Sequence, residues 1–197
     1  MKNITLITLF VGALAFITNA YAVSANLGVS SEYYWRGASQ GNGVSVSGGF
    51  DYEGDGFYAG VWTANLGASG GVETDYYIGT EIEGFDIGYI VYEYSQASGD
   101  FDEFYIGYSI AGFDLFYAQN ADISSADYFS ISYGLPSIVE GIDATLTYGD
   151  SGAAGVVNPG ALDDDYMQLD LAYGDLTLSV IDTEADTFTA VSYGWSL

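Results

Sequence analysis

Carboxylates are the residues on which any chemistry in this chain must rest. The sequence carries 27 Asp and Glu against 2 Lys and Arg, has no His and no Cys, and holds a formal charge of −25. Without His there is no Ser-His-Asp hydrolase, no His-ligated zinc and no ordinary general base at neutral pH. Two carboxylates can hydrolyse a glycosidic bond, but here the acids are scattered among turn signals and no pair stands out. The expectation is a protein that is not an enzyme, with no catalytic residues, no metal centre and no cofactor. The charge also excludes nucleic acid as a partner.

The alternative use of acidic side chains is to set an electrostatic potential. Glu32, Asp51, Glu73, Asp75, Glu81 and Asp170 all fall on the polar face of strand-like segments, and Arg36 is the one base outside the first few residues. Lining a confined lumen, these groups attract cations and repel anions. The seven residues are the pore-lining candidates. Arg36 has two readings: a buried ion pair with Glu32, Asp51 or Asp75 that props a constriction, or a rim residue in a loop turn. A further acidic run, Asp150 with Asp163, Asp164 and Asp165, has oxygen ligands of the kind that suit Ca²⁺ or Mg²⁺. Its spacing matches no EF-hand loop, so it reads as a solvated charge run able to bridge lipopolysaccharide through divalent cations.

The elements that must position these groups are β-strands. The chain has 27 Gly, 19 Tyr and only 2 Pro, and no window keeps a helical period. Turn signals recur at Glu53-Gly54-Asp55-Gly56, Glu83-Gly84, Ala111-Gly112, Glu140-Gly141 and Gly174-Asp175. Between them the sequence predicts about twelve strands, with ten or eight as alternatives: 25–36, 44–53, 56–66, 73–83, 85–94, 102–111, 113–119, 126–134, 141–149, 165–173, 175–182 and 187–197. Most have the length of a tilted membrane strand. An even count puts both termini and the tight turns at one end and the longer links at the other.

Alternation decides which way the strands face, because residues two apart share a side. One face is uncharged, as in Val44, Val46, Phe50, Tyr52 or Met167, Leu169, Leu171, Tyr173. The other is small and polar and lacks Lys, as suits a barrel interior better than a water-facing surface. The apolar face therefore points to lipid. Trp35 and Tyr148 then form a girdle at the long-link end, with Tyr52, Tyr133, Tyr173 and Trp195 at the tight-turn end. The third and fifth strands are apolar on both faces and take no orientation. Tyr34, Tyr77, Tyr105, Tyr128 and Tyr166 fall on the inner face, so a rival reading is a plugged structural or surface-binding barrel without transport.

Residues 1–22 form a separate region: Lys2, an uncharged run from Ile4 to Ile17, and small residues ending Ala20-Tyr21-Ala22. That is a secretory signal, although a membrane anchor is the other use of such a run. The barrel then occupies 23–197. Export and apolar strands together place the chain in the bacterial outer membrane. Its expected partners are outer-membrane lipid, lipopolysaccharide bridged through divalent cations, and small solutes.

The run Leu27-Gly28-Val29-Ser30-Ser31-Glu32-Tyr33-Tyr34-Trp35-Arg36-Gly37-Ala38-Ser39-Gln40 resembles the opening of the TorF-type porins, within the Gcw_chp-like bacterial outer-membrane proteins. Gly49-Phe50-Asp51-Tyr52, Gly56-Phe57-Tyr58-Ala59-Gly60-Val61-Trp62, Glu73-Thr74-Asp75-Tyr76-Tyr77-Ile78-Gly79 and Tyr92-Glu93-Tyr94 are similar to the blocks that follow in that family. The resemblance covers residues 27–94. It implies an outer-membrane barrel acting as a porin for passive diffusion, and supplies no catalytic or substrate-binding residues. The last residue is Leu197, where outer-membrane barrels usually end in an aromatic.

Overall fold

Apolar and polar residues in strict alternation produce long antiparallel strands whose two faces differ. The computed structural model describes residues 22–41, 43–54, 56–66, 71–96, 99–123, 126–136, 139–152 and 165–196. The expected leader up to Tyr21, together with Asp163, Asp164 and Leu197, lies outside the described residues.

Chain order gives β1 (Ala22–Ser30), β2 (Tyr34–Trp35), β3 (Ala38–Ser39), β4 (Ser45–Gly54), β5 (Phe57–Asn65), β6 (Val72–Ile82) and β7 (Phe85–Tyr94). There follow β8 (Phe101–Ile110), β9 (Phe113–Asn120), β10 (Asp127–Leu135), β11 (Asp143–Ser151), β12 (Asp165–Tyr173), β13 (Leu176–Thr183) and β14 (Thr187–Ser196). All but β2 and β3 belong to one closed up-and-down barrel of twelve strands, in which β4 returns to β1 and β1 closes on β14. Closure pairs the backbone polar groups without leaving a sheet edge. Glu83-Gly84 and Ala111-Gly112 each have two positive φ angles, 53° and 84° and then 54° and 87°. These are the two-residue turns whose twist matches that of the flanking strands.

Register fixes the faces. Val29 pairs with Val46, Leu27 with Trp195, Phe50 with Val61 and Ile78 with Tyr89, which builds a continuous apolar exterior. Phe50, Phe104, Ile78 and Val46 are each more than half exposed there. Aromatic pairs crowd the tight-turn end, with ring centroids 5.4 Å apart for Tyr52 and Phe57, 4.5 Å for Phe85 and Tyr108, and 4.6 Å for Phe113 and Tyr133. Opposite, where the strands meet the longer links, the outer face ends in acids: Glu93, Asp102, Asp127, Asp150, Asp165 and Asp182. The two strands that sequence left unoriented are resolved by their partners. Trp62 and Ala64 of β5 and Ile90 and Tyr92 of β7 are buried inside, while Val61 and Val91 sit on the outer face.

The first predicted strand is corrected. It was expected to run to residue 36, but β1 ends at Ser30 and the chain turns into the barrel. A local turn stops it: Ser30 Oγ donates to the Glu32 carbonyl at 2.5 Å, and Ser31 exchanges bonds with Val191 of β14. Trp35, expected in the outer girdle, is instead buried in the lumen. Burial against other aromatic rings inside outweighs continuation of the outer alternation.

Candidate lumen site

The lumen is built from this inward segment and the polar faces around it. Tyr34–Trp35 and Ala38–Ser39 form a small hairpin, with Arg36 and Gly37 as its turn at φ 49° and 80°. Gly37 lies so close to the Tyr166 ring that an added Cβ would come within 2.8 Å of it. The tip therefore needs glycine for both its backbone angle and its packing.

Arg36 is held on every side. Its Nη1 and Nη2 donate to Glu103 Oε1 and Oε2 at 2.8 and 2.7 Å, a bidentate pair. The guanidinium lies 4.2 Å from the ring centroids of both Trp35 and Tyr128. Tyr92 donates to Glu103 Oε2 at 3.2 Å, and the Tyr128 and Tyr166 hydroxyls are 2.7 Å apart. Two strong hydrogen bonds and two π faces replace the water that the charge gave up.

The remaining hairpin aromatics reach the wall in several directions. Trp35 packs on Tyr92 of β7 and Phe101 of β8, with centroids 5.8 and 6.0 Å away. Tyr33 meets Trp62 of β5 at 5.6 Å and Tyr34 meets Phe188 of β14 at 5.5 Å. The hairpin thus crosses the lumen at the long-link end.

Towards the tight turns, tyrosine fills the interior. Tyr58 bonds Asp86 and Tyr105 at 2.5 Å each, while Tyr77 donates to Asp51, which also accepts from Asn26 at 3.1 Å. The rings of Tyr77, Tyr58 and Tyr105 lie over Gly60, Gly79 and Gly88, where a Cβ would overlap them. Glycine on the neighbouring strand makes room for each ring.

The sequence-predicted lining residues fall into distinct places. Asp51 joins the tyrosine network, and Asp170 accepts from Ser179 at 2.6 Å and from Gln168 at 3.0 Å. Glu32 stays near the mouth, bonded by Ser39 Oγ at 2.6 Å, and Glu81 is exposed near the tight-turn end. Glu73 and Asp75 are brought together on β6, each 1% exposed, with carboxyls in reach of each other. Both oxygens of Asp75 and Oε2 of Glu73 have no hydrogen-bond donor. Like charges held close together in a buried site repel strongly unless a proton or a counter-charge intervenes.

One expectation about Arg36 is corrected. Its partner is neither Glu32, Asp51 nor Asp75, but Glu103, far along the chain. The two sequence readings also merge, because Arg36 is in a loop turn and that turn lies inside. Glu103 was missed, although the alternation of β8 holds the signal: with Phe104, Ile106 and Tyr108 outward, residue 103 must point inward.

Comparisons with known proteins add the following. A family model described as a bacterial protein of unknown function (Gcw_chp) matches residues 15–121. Among solved structures, the chain is similar to one reported under "Unveiling the Mechanism Behind the in-meso Crystallization of Membrane Proteins". That likeness covers 90% of this chain and 83% of that chain at 12% sequence identity, with a TM-score of 0.49. No curated protein matches the chain.

Proposed function

We propose that this chain, which belongs to the bacterial Gcw_chp family, is an outer-membrane, porin-like barrel that passes small solutes and prefers cations. The observation that carries the reading is the charge balance of the lumen. Arg36 is the base in the lumen and its two terminal nitrogens are taken by Glu103, so among the described residues no basic side chain offsets Glu73 and Asp75. A negative potential focused between low-dielectric walls favours cations over anions.

The apolar exterior supports residence in lipid, and the aromatic crowding at one end supports an interfacial girdle. The outer acids at the other end stand where divalent cations would bridge them to lipopolysaccharide phosphates, with Asp150 and Asp165 directly opposite one another. In this reading the hairpin at residues 34–39 is the constriction, anchored by non-covalent contacts, and its displacement widens the path. No catalytic step is assigned to any residue.

A second reading has its own observation. The hairpin aromatics and the inner tyrosines occupy much of the lumen, as in a plugged barrel serving a structural or surface-binding role. Liposome swelling separates the two. Solute entry into vesicles carrying the refolded protein supports the channel; exclusion of small sugars and salts alike supports the plug.

A further inference from the structure

Glu73 and Asp75 take successive inner positions of β6, and their surroundings point to a ligand. Asp75 is almost fully buried, yet neither of its carboxylate oxygens has a hydrogen-bond donor. Glu73 Oε2 is equally bare, while its Oε1 has the Tyr94 hydroxyl at 3.4 Å and the carboxyl lies in reach of Tyr33. The Arg36 guanidinium instead places both terminal nitrogens on Glu103. Buried carboxylates are paired, protonated or coordinated to a metal. One shared proton would still leave one charge buried between them.

The donor set selects the kind of ion. Every polar ligand here is oxygen, two of them anionic groups and two phenolic hydroxyls, which suits hard cations and not soft ones. Among the described residues no three acidic side chains converge as a cage. Two carboxylates with the rest of the shell left to hydroxyls or water is an ordinary arrangement for Mg²⁺ and within the range of Ca²⁺. A dication also cancels the charge of the pair.

We propose that Glu73 and Asp75 together bind one hard divalent cation, of the Mg²⁺ or Ca²⁺ class, inside the barrel. Tyr33 covers the site from the hairpin, packed on Trp62, the cross-strand neighbour of Asp75. The site rests on the proposed lumen for its place but not on conduction.

Terbium serves as the probe, because its emission is sensitised by a nearby indole. The refolded full chain, freed of metal, is titrated with Tb³⁺ under tryptophan-selective excitation and then with Ca²⁺. A saturable signal displaced by Ca²⁺ is expected. The double variant Glu73→Gln, Asp75→Asn should weaken binding about tenfold or more, since ligand charge sets affinity, while Asp150→Asn, Asp165→Asn on the outer rim should leave it unchanged. A signal that never saturates, that survives the inner variant, or that is lost with the rim variant overturns the site, leaving a shared proton as the account. If the inner variant does not refold, the pair Trp35→Phe, Trp62→Phe keeps both carboxylates, removes both lumen indoles and decides: the signal must fall several-fold, and an undiminished one overturns the proposal. Binding without conductance would retain the site and reject the channel; conductance without binding would do the reverse.

Discussion

Arg36 and Glu103 are 67 positions apart in sequence and meet in the lumen through two parallel hydrogen bonds of 2.8 and 2.7 Å. Removing one partner strands the other charge in a dry site, which costs about 3–5 kcal/mol, whereas replacing both with apolar residues costs much less. Glu103→Ala is therefore expected to be far more destabilising than the pair Arg36→Met, Glu103→Leu. Urea unfolding of the three chains in the same detergent gives the comparison, and a double variant at least as destabilised as Glu103→Ala would contradict a coupled pair.

In the proposed channel the hairpin is the constriction, so its removal has a defined consequence. Replacing residues 34–39 with a short Gly-Ser link should raise single-channel conductance and preserve the sign of ion preference, because Glu73 and Asp75 belong to the wall and not to the hairpin. Loss of ion preference together with the hairpin would contradict selection by the wall carboxylates.

Twelve strands, their direction and nearly all their faces were legible in the sequence, because period-two alternation in β4, β6 and β12 is set by a lipid-type exterior against a polar interior. The path of residues 31–44 was not. Tyr33 and Trp35 keep the outer alternation of β1 going past Ser30, and nothing local distinguishes an aromatic ring bound for lipid from one bound for the lumen. The double apolar faces of β5 and β7 were the trace of it: Trp62, Ile90 and Tyr92 are apolar inside because the hairpin rests there. Glu73 and Asp75 were placed on the inner face by parity alone, but their isolation from Arg36 depends on Glu103, a pairing across distant strands that no local pattern encodes.

Ring-over-glycine packing makes a prediction about stability. Gly60→Ala, Gly79→Ala and Gly88→Ala each push a Cβ into a tyrosine ring on an adjacent strand, at a cost of about 1–3 kcal/mol. Gly134→Ala, with open space around it, should be nearly neutral. Thermal unfolding of the four variants checks this, and a Gly134 effect equal to the others would contradict it.

The exterior is tested by charge. Ile78→Lys or Phe50→Lys, both on the outer face in mid-strand, should cost about 2–4 kcal/mol for a site near the bilayer midplane. Ser109→Lys, on the inner side of β8 near the tight-turn end and beside Asp114, should cost much less. Urea titration in phospholipid vesicles measures the difference. Equal tolerance at all three positions would contradict a lipid-facing apolar band.

The central claim is that lumen carboxylates without a basic partner select cations, and the reversal potential across a planar bilayer in a KCl gradient, with divalent cations chelated so that the pair carries no metal, tests it most directly. The account predicts a potential of the sign set by K⁺, reduced towards zero in the Glu73→Gln, Asp75→Asn chain. A potential of the opposite sign, or no current from either the native barrel or the barrel lacking its hairpin, would contradict it.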